Sequence, residues 1–135
     1  MKKPIAELRG MTDAIAAVLK GRGIDDSEQL LAAAHTPAGR KELAAACGCT
    51  THDILGLANR ADLSRLKGVG AAYSDLLEKA GVDTVKELRN RRPDNLHAKI
   101  VEVNAEHHYT KMIPTQAAVE DWIHQAKELP PAIEH

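Results

Sequence analysis

The chain has 135 residues, 44% of them hydrophobic, with 18 Lys and Arg against 19 Asp and Glu and a formal net charge of −1. That length suits a single domain with one core, and the balance of charge excludes a polycation that coats nucleic acid, so any anion binding must come from a local patch. With no Phe, one Trp and two Tyr, the apolar fraction is largely alanine and aliphatic side chains, which favours close-packed helices over a sheet. The expected fold class is all-α.

The chain starts MKKPIAELRG, with two lysines and no apolar run behind them. The next apolar run, AIAAVL, is only six residues, too short for a signal peptide or a membrane span. A soluble cytoplasmic protein is expected, without membrane contact. Leu8-Arg9-Gly10-Met11-Thr12 reads as a tight turn leading into a helix. Farther on, CGCTTH places Cys47, Cys49 and His52 within six residues. One residue between the cysteines is a poor spacing for a structural disulfide, and a structural zinc site needs four ligands, which no second pair supplies. Reduced thiols in a helix-to-helix turn are expected, with no metal and no cofactor.

Sliding the sequence by 58 residues aligns IAELRGMTDAIAAVLKGRGIDDSEQL (5–30) with LSRLKGVGAAYSDLLEKAGVDTVKEL (63–88). Ile5 falls on Leu63, Leu8 on Leu66, Gly10 on Gly68, Gly23 on Gly81, Asp25 on Asp83 and Leu30 on Leu88. After an insertion of about six residues the match resumes, TTHDILGLANR (50–60) resembling PTQAAVEDWIHQ (114–125). A duplicated helical unit follows, with one copy at about 4–60 and the other at about 62–129, in one domain spanning 1–135.

The second copy gives the clearer elements. A short helix is expected over 62–67 and another over 71–80, where Ala72, Tyr73, Leu76, Leu77 and Ala80 keep helical spacing. Gly81 suits the left-handed position after that helix. Asp83 or Thr84 then caps a third helix with Val85 and Leu88, which Pro93 stops. Asp94 or Asn95 starts a fourth, with Leu96, Ile100 and Val103 on one face. A polar link, AEHHYTKMI, leads to Thr115, the cap of a last helix burying Val119, Trp122, Ile123 and Ala126. His107 and His108 fall in that link, and Trp122 reads as a core anchor rather than a platform for a base.

Between the first two of these helices lies Leu66-Lys67-Gly68-Val69-Gly70. Gly68 can take positive φ at no steric cost, and Val69 would then turn back between the helices. Gly70 stands where the next helix offers backbone N–H groups without intrahelical acceptors. A phosphate oxygen can approach those donors where no side chain intervenes, and the helix dipole favours its charge. Lys67 adds a point charge. Such contacts give affinity without reading sequence.

These residues resemble the helix-hairpin-helix motif of DNA repair and recombination proteins. NRADLSRLKGVGAAYSDLLEKAGVDTVKEL, NLHAKIVEVN and VEDWIHQAKEL extend the likeness over most of the chain to a bacterial family of small helix-hairpin-helix domains of unknown function. The resemblance implies tandem helix-hairpin-helix repeats and a DNA-binding or nuclease-like role. The phosphate-holding part carries onto Lys67, Gly68, Val69 and Gly70, and the helix start adds the amide of Ala71. The first copy departs from the pattern, reading Gly10-Met11-Thr12, and the Thr12 side chain would fill part of such a site. A structural turn is expected there.

Basic residues near the second turn include Arg60, Arg65, Lys67, Lys86, Arg89, Arg91, Arg92 and Lys99. Of these, Arg65, Arg89, Arg91 and Arg92 are the candidate supporting contacts, although an Arg-rich helix end is also favoured by the dipole alone. A nuclease needs carboxylates converging on a cation, whereas Asp25, Asp83 and Asp94 are scattered at capping positions. Cys49 and His52 lack an orienting third group. The expectation is a non-enzymatic, sequence-independent DNA-binding module, weak alone, aided by dimerisation or a protein partner. The alternative is a protein-interaction or scaffold module without nucleic acid, and a more distant one a metal- or redox-linked protein using Cys47 and Cys49.

Overall fold

Capping chemistry sets the helix starts along most of the chain. Residues 2–134 are described by the computed structural model. Apart from one antiparallel bridge between Pro4 and Asp26, every regular element among the described residues is helical, so the all-α expectation holds. The chain divides into two compact units, one running to Arg65 and joined by the terminal segment from Pro131, the other spanning Leu66–Pro130.

In the first unit a single 3-10 turn, Ile5–Glu7, precedes α1 (Asp13–Gly21), α2 (Ser27–Ala33), α3 (Pro37–Cys47) and α4 (Thr51–Leu63). Thr12, Asp26, Thr36 and Thr50 are their N-caps, each accepting a backbone N–H in the first turn, which removes one of the donors a helix start leaves unsatisfied. At α4 the exchange is reciprocal, because Asp53 also accepts from the Thr50 N–H at 3.0 Å. Those hydrogen bonds to the ionised form hold the Asp53 carboxyl below its ordinary range. Ile5, Leu19, Leu30, Ile54 and Ala58 form the fully buried centre, and α4 packs on α2 and α3. Arg40 ties the terminal segment to this unit. Its guanidinium donates to the Ala34, His35 and Glu134 carbonyls at 2.9, 3.2 and 2.6 Å, while Ile133 enters the core.

The second unit holds α5 (Ala71–Lys79), α6 (Val85–Leu88), α7 (Pro93–His107) and α8 (Gln116–Glu128). Leu76, Leu77, Val82, Leu88, Leu96, Ile100 and Val119 are fully buried, with α7 packed on α5 and α8. Of the two candidates Asp83 and Thr84, Thr84 caps α6; Thr115 caps α8 as expected, and Gly81 sits at φ 95°. Several expectations fail, and the expected link shortens, since α7 takes in Ala105, Glu106 and His107. No separate helix covers 62–67: α4 continues to Leu63 and the chain then turns. Pro93 does not stop α6, which ends at Leu88, but is the first residue of α7. A proline costs nothing there, since the N–H it lacks has no intrahelical acceptor and its φ is already helical.

Local geometry recurs along the chain at the spacing seen in the sequence. α1 and α5 are each nine residues and start 58 apart, as α2 and α6 do. Gly10 and Gly68 have φ 93° and 88°, Gly23 and Gly81 83° and 95°. The Ile24 and Val82 amides donate to Leu19 and Leu77 at 2.9 and 2.8 Å. α4 and α8, thirteen residues each, start 65 apart, so the second half carries seven additional residues rather than six. They are accommodated in α7, which has 15 residues against 11 in α3, and in the longer link before α8, where the buried Asn104 side chain of α7 both donates to and accepts from the Thr110 backbone at 3.0 Å.

Candidate site at the start of the fifth helix

The loop from Leu66 to Gly70 is built from alternating buried and open positions. Leu66 and Val69 are buried, 2% and 4% exposed, and anchor it, whereas Lys67, Gly68 and Gly70 face solvent. At φ 88° Gly68 occupies the left-handed region that a side chain disfavours. Gly70 is different. It is the N-cap of α5 at φ −94° and ψ −167°, extended backbone open to any residue, and a Cβ built on it meets nothing within 4 Å. Neither conformation nor packing demands glycine at this position. Its consequence is chemical: α5 starts without a side-chain cap, and the first-turn amides from Ala71 face an unobstructed approach. The corresponding residue of the first unit, Thr12, accepts from the Ile15 N–H at 3.1 Å, so its hydroxyl already occupies the equivalent space.

A clamp from α8 fixes the loop. Gln125 receives the Lys67 N–H on Oε1 at 2.8 Å and donates Nε2 to the Lys67 carbonyl at 3.1 Å. The same Nε2 donates to Asp121 at 2.9 Å. The backbone of Lys67 is therefore held while its exposed ammonium stays free to move. Sequence reasoning did not find Gln125. Its signal is positional, one helical turn after Trp122 on the buried face of α8.

Beside the loop lies a pocket of about 360 Å³. Its lining includes the polar Lys67, Thr115 and Asp121 and the apolar or aromatic Tyr73, Trp122, Met112 and Ile113, together with Gly68. The Tyr73 and Trp122 rings meet at 5.4 Å between centroids, and the Tyr73 hydroxyl donates to the Met112 carbonyl at 2.9 Å. Trp122 is a core residue, 3% exposed, as its helical position implied. Met112 and Ile113, 75% and 41% exposed, belong to the additional residues of the second half, which the sequence marked only as a polar link.

The supporting arginines are engaged elsewhere. Arg65 pairs with Asp62 at 2.9 Å. Arg89 donates to the Leu129 carbonyl at 2.7 Å and Arg91 to the Ala80 carbonyl at 3.2 Å, positions that neutralise helix C-termini. Arg92 pairs with Asp94 at 3.1 Å, whose carboxyl is held low first by the Asn95 N–H and then by that guanidinium. The structure thus brings Lys67, Gly68, Val69, Gly70 and Ala71 together and gives the four arginines other partners.

A second pocket, about 480 Å³, lies in the first unit between Arg40, Lys41, His52 and Leu55; the Arg40 guanidinium there is taken up by the three carbonyls already described. Cys47 and Cys49 are free, half-buried thiols pushed up by burial. Among the described residues no group of three or more His, Cys, Asp and Glu side chains gathers to hold a metal, and no helix is long and apolar enough to cross a membrane.

No curated protein and no solved structure matches the chain. A family model described as "Domain of unknown function (DUF4332)" matches residues 9–129, and the chain belongs to that family.

Proposed function

We propose that the protein is a non-enzymatic, sequence-independent DNA-binding module of two helix-hairpin-helix units, in which the second hairpin holds one backbone phosphate. The observation that carries this reading is Gly70, a glycine that neither the backbone angles nor the packing requires, placed where its missing side chain leaves the α5 amides open. Ala71 heads those donors, Gly68 and Val69 shape and anchor the turn, and Lys67 supplies a cation beside it. Thr12 at the matching place makes the first hairpin structural.

One phosphate site on a chain of net charge −1 binds at the non-specific level, roughly 10⁻⁴–10⁻⁶ M, so a partner or a second copy adds the useful affinity. The test is fluorescence anisotropy with a short duplex at low salt. Salt-sensitive binding is expected for the native chain, and its loss in Gly70→Asp and Lys67→Glu. Asp is itself a good N-cap, so the first variant keeps α5 while placing a carboxylate where the phosphate would lie. Unchanged binding in both variants, or none in the native protein, rejects the proposal.

The exposed Met112 and Ile113 support a second reading, a scaffold that docks a protein through apolar contact. It requires self-association or partner binding that salt leaves unaffected, read by sedimentation velocity at two ionic strengths.

A further inference from the structure

Trp122 poses an unanswered question of hydrogen bonding. Its side chain is 3% exposed, yet the indole N–H has no acceptor among the described residues and is not sealed in the interior. Nε1 lies 3.5 Å from the point a Cβ on Gly68 would occupy. The glycine that makes the turn therefore also leaves open the approach to this donor. Buried indoles ordinarily find a partner, and the space in front of this one is the pocket that Lys67 and Gly68 share.

The contents of that pocket describe its occupant. Its polar lining comes from Lys67, Thr115, the Asp121 carboxylate and the Trp122 N–H, and its apolar lining from Met112, Ile113 and the Tyr73 ring. An occupant must offer both an acceptor and donors on one edge, and an apolar face to methionine and isoleucine. The volume of about 360 Å³ is at the low end for small-ligand sites, matching a single flat group. Lys67 and Gly68, which line the pocket, belong to the same loop that leads into the amides proposed to hold phosphate. A nucleobase attached to that phosphate meets every condition. A base inside a duplex has its edge paired and its faces stacked, so only an unpaired nucleotide can enter.

We infer that this pocket receives one unpaired nucleobase next to the bound phosphate, so that the protein prefers DNA with a single-stranded end or a frayed junction to continuous duplex. The inference rests on the phosphate-binding reading of the second hairpin.

The experiment compares three probes by anisotropy: a blunt duplex, the same duplex with a two-nucleotide overhang, and that overhang made abasic. Emission of the single tryptophan, which lines the pocket, is followed in parallel. The overhang is expected to bind about tenfold tighter than the blunt duplex, the order that base–aromatic contacts supply, and to change Trp122 emission saturably. The abasic overhang should fall back to the blunt value. In Met112→Ser/Ile113→Ser, at exposed loop positions that leave the core intact, the preference should vanish while blunt-duplex binding stays within twofold. Equal binding of all three probes overturns the pocket assignment and leaves phosphate binding standing. No binding to any probe rejects both. Salt-insensitive self-association abolished by the double variant, with no response to the overhang, assigns the pocket to a protein partner instead.

Discussion

Gly68 and Gly70 are two residues apart and are glycines for different reasons. At φ 88° Gly68 is a conformational requirement, whereas an added Cβ would meet the Trp122 indole nitrogen only at ordinary contact distance, 3.5 Å. Gly68→Ala is therefore expected to lower stability by about 1–2 kcal/mol, the cost of forcing an L side chain into the left-handed region, measured by urea denaturation. Gly70→Thr is expected to do the opposite. Thr12 shows that an N-cap threonine at φ −115° serves the matching helix, so the substitution should leave stability unchanged or raise it by a few tenths of a kcal/mol. Duplex binding should nevertheless disappear, because the hydroxyl then occupies the amides. A clear loss of stability in Gly70→Thr would show that the fold needs glycine there and remove the argument for a ligand.

At the scale of elements, the Leu66–Gly70 loop owes its position to α8. Gln125→Ala removes both contacts to the Lys67 backbone. The freed groups are near solvent and can be rehydrated, so the loss should be about 1 kcal/mol, with faster amide exchange at Lys67 as the local sign. If exchange there is unchanged, the clamp is not what fixes the loop. Helix starts respond to acid in a defined direction. The Asp53 and Asp94 carboxyls are held below their ordinary range, so their stabilisation is fully present above the unfolded value, about 3.9, and fades as pH falls through the lower folded values. Fraying at the starts of α4 and α7 should thus appear only below about pH 4, visible in amide NMR of Thr50 and Asn95, the donors to those carboxylates.

These elements also mark how far the sequence could be read. Caps at Thr84 and Thr115, the left-handed Gly81 and the bounds of α5 depend on chemistry within a few residues, and all are legible in order. Pro93 misled because the same residue ends one helix and begins another, and local propensity does not choose between them. The Gln125 clamp and the wall of Met112 and Ile113 lie 58 and more than 40 residues from Lys67; only packing brings them there, and a polar link gave no sign of it.

For the whole molecule the governing quantity is charge. The net charge is −1, Arg65 and Arg92 are each paired to an aspartate, and Lys67 is the exposed cation of the loop itself. Counterion release scales with the number of phosphates neutralised, with a slope of about −0.9 per phosphate in a plot of log K against log salt. One or two contacts give a slope of about −0.9 to −1.8, so affinity should fall about 3- to 12-fold between about 50 and 200 mM salt. A protein with six to ten phosphate contacts would lose about 10³–10⁵ over the same interval. A shallow slope that flattens further in Lys67→Gln is the outcome a single-hairpin binder demands. A steep one would mean that the arginines leave their partners on binding and that the interface extends well beyond the α5 start.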